Sequence, residues 1–228
     1  MAKRFLLEIS VQTVEAARAA ERGGADRIEL CSDLSVGGLT PGADLLRGVR
    51  EAVRIPIFSM IRPRAGDFVY SATEWEKMKR AITVARDSCM NGVVLGILCK
   101  DHRIDVERTR ELVEMARPLP VTFHRALDEC GDLLQSLEEV VRTGAARILT
   151  SGGAKTALEG APTLRSLVEA AADRVIVVPG AGISAANIAE VARQTGAREF
   201  HSGLSTVLPY SSRDYARFES EVRNLARS

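Results

Sequence analysis

The sequence has no CxxC pair and no zinc-ribbon spacing; its four cysteines, Cys31, Cys89, Cys99 and Cys130, are scattered along 228 residues. In a chain of that size isolated thiols read as small buried hydrophobes, which excludes a disulfide framework as the source of the fold. Charge of one sign is also lacking, since 31 basic and 30 acidic side chains leave a formal +1. That balance removes any global electrostatic case for a nucleic acid or an anionic membrane as partner. No apolar run is long enough to span a bilayer, and the opening Met-Ala-Lys-Arg-Phe-Leu-Leu acquires Glu8 before a signal-type core develops, so the expected location is the cytoplasm. Lysine is scarce: Lys3, Lys77, Lys79, Lys100 and Lys155 all fall outside the strand-like runs, which disfavours Schiff-base chemistry. A dinucleotide fingerprint is missing too, because Gly180-Ala-Gly182 lacks the third glycine and the downstream acid.

What is present is an alternation. A 46% hydrophobic and 27% charged composition is that of a globular protein, and one domain over residues 1–228 is expected. Short apolar runs at Leu6–Ser10, Arg27–Cys31, Pro56–Arg62, Gly92–Leu98, Pro120–His124, Arg147–Ser151, Val175–Pro179 and Glu199–Ser202 alternate with helical patterns. Eight runs leave about 28 residues per unit, enough for a strand, a helix and two turns. Ser71-Ala-Thr-Glu74 forms a capping box ahead of Trp75, Met78, Ile82 and Ala85; Ser184 is placed to cap a helix ending at Gly196; Pro162 suits a first helical turn. Tyr215, Phe218, Val222 and Leu225 define the apolar face of a last helix. Glycine ends a helix just before a strand at Gly23-Gly24, Gly144 and Gly196, a repeated β/α junction. The pattern predicts parallel strands with right-handed crossovers, closed as a (β/α)8 TIM barrel rather than opened as a doubly wound sheet.

In such a barrel functional groups sit at the C-terminal strand ends. Glu8 and Ser10 share a face of strand one, and Glu29 and Cys31 a face of strand two. Strand three ends in Arg62-Pro-Arg64, strand five in His124-Arg125 followed by Asp128, and strand eight in His201-Ser202. Buried carboxylates need basic partners, so Glu8, Glu29, Arg62 and His124 are expected to pair with one another, as catalytic candidates together with Asp128. Their chemistry suits proton transfer, as in isomerisation, epimerisation or hydrolysis. The competing reading is an ion-pair network that merely closes the barrel. His201 reads as structural, and Arg125, pointing opposite to His124, as a supporting pair-former.

Three late loops are rich in small residues: Thr150-Ser-Gly-Gly153, Pro179-Gly-Ala-Gly-Ile-Ser184 and His201-Ser-Gly203. Their backbone amides make Ser151, Gly152, Gly153, Gly180, Gly182, Ser202 and Gly203 candidates for holding the anion of a small phosphorylated metabolite.

Longer words in the sequence resemble one family. Glu21–Cys31 with Gly37-Gly-Leu-Thr-Pro41, Met60-Ile-Arg-Pro-Arg64 with Gly66-Asp-Phe68, Pro118–Ala126 with Asp128, Leu149-Thr-Ser-Gly152, Ala157-Leu-Glu-Gly160, Pro179–Ile183 and Glu199-Phe-His201 are similar to CutC proteins over residues 6 to 203. The resemblance implies a cytoplasmic (β/α)8 barrel linked to copper homeostasis and binding copper. Cys31 matches the family's cysteine and becomes the metal candidate, with Cu(I), which prefers thiolates and thioethers, as the implied ion. Some relatives carry a second cysteine where this chain has Ser10. Met60, Cys99, Cys130 and His124 are the remaining sources of ligands, while Cys89 is expected to pack on the helix after strand three. The expected partner is thus a copper ion or a small anionic metabolite, and self-association through outer helices is open to such a barrel.

Overall fold

The computed structural model describes residues 5–228. Eight parallel strands alternate with eight α-helices: β1 (Leu6–Val11), α1 (Val14–Gly23), β2 (Arg27–Leu30), α2 (Ala43–Ala52), β3 (Ile57–Met60), α3 (Ala72–Asp87), β4 (Gly92–Leu95), α4 (Val106–Ala116), β5 (Val121–Phe123), α5 (Leu133–Thr143), β6 (Arg147–Thr150), α6 (Ala161–Ala171), β7 (Ile176–Pro179), α7 (Ile188–Thr195), β8 (Glu199–Ser202) and α8 (Tyr215–Arg227). The ladder runs β7-β6-β5-β4-β3-β2-β1-β8, and β8 packs against β7 without a ladder, so the barrel is nearly closed. The expected alternation is found at all eight positions, and the strands end somewhat earlier than the apolar runs because the residues beyond them turn into the mouth loops.

Local chemistry sets the boundaries. Ser71 and Glu74 form the reciprocal capping box of α3, whose Met78, Ile82 and Ala85 are buried. Gly24, Gly144 and Gly196 end α1, α5 and α7 in left-handed conformations that other residues rarely adopt. One cap differs from expectation. Asn187, not Ser184, stands at the start of α7, and its side-chain carbonyl accepts from the Ser184 N–H at 2.9 Å. The longer amide side chain reaches back across the turn, so the helix begins three residues later. Cys89 also differs: it lies past the end of α3 at positive φ and is exposed, not packed on the helix.

Alternation along each strand separates two layers. Leu7, Ile9, Ile28, Leu30, Ile57 and Phe200 face outward and join the helices in the main core. A smaller cluster of Cys31, Leu34, Phe58, Met60 and Val94 forms a separate apolar group. Below the mouth, where barrels usually stack branched aliphatics, four charged side chains meet. Arg27 donates to Glu8 and, at 2.9 Å, to Glu199, and Arg147 donates to Glu199 at 2.9 Å. Both guanidiniums lie over the Phe58 ring, 4.7 and 5.5 Å from its centroid. Gly92 makes this possible, since a Cβ there would fall 2.6 Å from that ring.

Candidate functional site

The strand register places Ser10 opposite Glu29 and Glu8 opposite His201. Glu8 is therefore shared between the charged floor and the mouth: one carboxylate oxygen takes the Arg27 guanidinium and the other lies 2.8 Å from His201 Nδ1. The other ring nitrogen, His201 Nε2, lies 3.9 Å from Glu29 Oε2, and the same Oε2 accepts from the Cys31 thiol at 3.5 Å. Glu29 Oε1 is buried and has no hydrogen-bond partner among the described residues. Carboxylate oxygens of Glu8 and Glu29 and a ring nitrogen of His201 all lie within 4.8 Å of one another, a grouping that can hold a metal ion.

Electrostatics follow from burial and these contacts. Burial pushes the Glu8 carboxyl up, but Arg27 and His201 outweigh it and hold the pKa at about 2. Burial raises Glu29, with His201 opposing and Glu8 adding to the rise. Burial disfavours a charged His201, yet Glu29 and Glu8 raise its pKa overall. Burial, then the neighbouring Glu29, pushes the Cys31 thiol well above its ordinary value. Gly38 closes over this thiol at φ +85°, and a Cβ on it would lie 2.7 Å from Sγ, so only glycine lets the loop approach.

Arg62 and His124 form a second group instead of pairing with the acids. The Arg62 guanidinium donates to the carbonyls of Val36 (2.7 Å), Gly38 (3.2 Å) and Gly66 (2.9 Å), stapling the loops after β2 and β3. Its long side chain reaches those carbonyls, while Arg27, directly opposite Glu8 in the β1–β2 register, pairs with that acid. The Phe68 ring contacts both members, its centroid 5.0 Å from Arg62 Cζ and 4.8 Å from the His124 ring. His124 Nδ1 accepts from the Ala126 N–H at 3.2 Å. Burial and then Arg62 depress its pKa to about 3, so the ring is neutral with its proton on Nε2. Gly96 leaves the space, because a Cβ there would sit 2.6 Å from His124 Nδ1.

Glu29 and His201 of the first group and Arg62, Phe68 and His124 of the second wall one cavity of about 790 Å³ at the C-terminal end of the strands, with Glu8 and Cys31 buried outside its lining. Glu29, Arg62, His124, Asp128, Gly153, Gly182 and Gly203 line it; Ser151, Gly152, Gly180 and Ser202 do not. The glycine loops are largely satisfied internally. Asp128 accepts from the N–H groups of Ser151 and Gly153 at 3.1 Å, from the Ser151 hydroxyl at 3.0 Å and from Arg125 at 2.8 Å. Gly152 N–H donates to Thr150 Oγ1 at 2.9 Å and Gly180 N–H to the Thr150 carbonyl at 2.9 Å. A protein carboxylate thus occupies two of the amides expected to hold an external anion, those of Ser151 and Gly153. His201, read from sequence as structural, faces the barrel interior; its pairing partner Glu8 lies 193 residues away, so spacing gave no signal for it. Cys99 and Cys130 are not in the cavity wall, and Lys3 lies outside the described residues.

These features define a (β/α)8 barrel with a carboxylate–imidazole–thiol cluster buried at its C-terminal mouth. The chain belongs to the CutC family, whose model matches residues 5–206. It is 49% identical over 200 residues to the human copper homeostasis protein cutC homolog, covering 88% of this chain and 73% of the relative. A family protein CutC of Xylella fastidiosa is 46% identical over 202 residues, 89% of this chain and 76% of that one. A CutC crystal structure from Streptococcus agalactiae superposes with a TM-score of 0.82 at 30% identity, covering 87% of this chain and 98% of that one. No helix among the described residues is long and apolar enough to cross a membrane.

Proposed function

We propose that this protein acts in copper homeostasis, as the name of its human relative says of that protein, and that copper is its cargo at the top of the barrel. The observation that carries the reading is one atom, Glu29 Oε2, which stands next to both the Cys31 thiol (3.5 Å) and His201 Nε2 (3.9 Å). Cys31 supplies the soft donor that Cu(I) prefers, and imidazole nitrogen is a good companion ligand. Glu8 serves the site indirectly. By accepting a hydrogen bond from His201 Nδ1–H it leaves Nε2 as the ligating nitrogen, the usual carboxylate–histidine–metal arrangement. The donor set fits copper with one sulfur, because the second strand-one position is Ser10 and the Cys31 thiol must lose its proton as the ion enters.

The test is a Cu(I) competition titration against a calibrated chelator under reducing conditions. Stoichiometric binding is expected, with Cys31→Ser weakening it by at least about tenfold, roughly 1.4 kcal/mol. An affinity indifferent to Cys31→Ser contradicts the assignment.

A further inference from the structure

The copper reading uses one side of the mouth, strands β1, β2 and β8. The remaining wall includes Arg62, Phe68 and His124, beside Arg125, Asp128 and Lys155, and nothing in that reading occupies it. Two N–H donors there make no hydrogen bond among the described residues: Arg62 Nε, whose guanidinium has the Tyr70 hydroxyl nearby, and His124 Nε2. Their side chains are only 6% and 4% exposed. An N–H shut away from water without an acceptor is costly, and such groups in native proteins usually mark a partner that arrives from outside. The other Arg62 nitrogens are already committed to Val36, Gly38 and Gly66, and His124 Nδ1 to Ala126. The cavity beside them, about 790 Å³, is far larger than a single ion requires and lies within the range of small-molecule sites.

We propose that this wall binds a small organic carboxylate, one oxygen accepting from Arg62 Nε–H and the other from His124 Nε2–H. The donor count selects the class. Two N–H groups, each with one free bond to give, match the two oxygens of a planar carboxylate, and Arg125 and Lys155 in the same cavity lining add positive charge that favours an anion. Asp128 already takes the Ser151 and Gly153 amides of the loop after β6, one of the places where a barrel commonly holds phosphate. A neutral His124 offers the Nε2 proton as a hydrogen-bond donor and does not give it up. Phe68, Met60 and Leu149 face the same cavity and provide apolar contact for the carbon skeleton. The inference does not depend on copper, because neither donor belongs to the Cys31–Glu29–His201 cluster.

The experiment is an NMR titration of protein labelled with 15N at its three histidines, with acetate, pyruvate and malonate as probes and inorganic phosphate as the contrast. At least one carboxylate is expected to shift the His124 Nε2–H signal saturably, with phosphate leaving it in place. His124→Asn keeps an acceptor for the Ala126 N–H but removes the Nε2 donor. It is expected to weaken carboxylate binding more than tenfold while leaving Cu(I) affinity unchanged. No saturable shift in the wild type with any of the three carboxylates, an equal shift with phosphate, or undiminished binding in a folded His124→Asn overturns the proposal. The wild-type titration decides the matter alone if that variant does not fold, and loss of Cu(I) binding in Cys31→Ser is scored separately.

Discussion

Two histidines at the same end of this barrel have pKa values shifted in opposite directions. His201 sits between two carboxylates that raise its pKa; His124 sits among Phe68, Phe123 and the Arg62 guanidinium and is pushed down to about 3. An unfolded histidine takes its proton near pH 6.5, and folded His124 refuses it until about 3. Between those values the unfolded chain binds the extra proton, so His124 lowers stability as pH falls, by about 1.4 kcal/mol per pH unit. His201 has the opposite sign: its raised pKa adds stability below the unfolded value, lost as pH rises through the folded one. Glu8, held at about 2, contributes stability above the ordinary carboxylate value of 4.5 that disappears as pH falls toward 2. Urea midpoints measured downward from about pH 6.5 should therefore fall less steeply in His124→Asn than in wild type. Parallel slopes would mean that His124 titrates normally and is not the neutral donor described above.

At the scale of elements, short-range chemistry was legible and long-range pairing was not. The capping box at Ser71–Glu74, the helix-ending glycines and the apolar face of α8 depend on residues within a few positions of one another. All were readable. Removing the first, by Ser71→Ala, should cost about 1 kcal/mol in thermal or urea unfolding without altering metal binding. A far larger loss would show that Ser71 has a role beyond the cap. The partners of Glu8 and Glu29 were read wrongly for the opposite reason. Alternation correctly put both acids inside the barrel, but the register that sets Glu8 beside His201 joins the first and last strands, and local sequence carries no trace of it. Asp128 was likewise placed at the mouth, while its use as an internal anion for the loop after β6 depends on a contact 23 residues away.

For the whole molecule, the unusual feature is a floor of charge inside the barrel. Arg27, Arg147, Glu8 and Glu199 balance to zero, and Phe58 gives both guanidiniums an aromatic surface. Such a network is weak evidence for stability as a whole, but opening it on one side strands buried charges. Arg27→Met should destabilise by about 3–5 kcal/mol in chemical denaturation and, by freeing Glu8, should loosen His201 as well. A loss under about 1 kcal/mol would mean that water reaches the floor. The barrel as a class was legible throughout, because eight apolar runs at even spacing leave few other architectures. Which polar groups meet at its mouth required the closed ring.

The central claim is that copper is held by Cys31 with His201 and Glu29, and X-ray absorption at the copper edge of the Cu(I)-loaded protein tests it most directly. One sulfur neighbour accompanied by nitrogen or oxygen neighbours, with the sulfur lost in Cys31→Ser, is the predicted result. A copper shell with no sulfur, or with two, would contradict it.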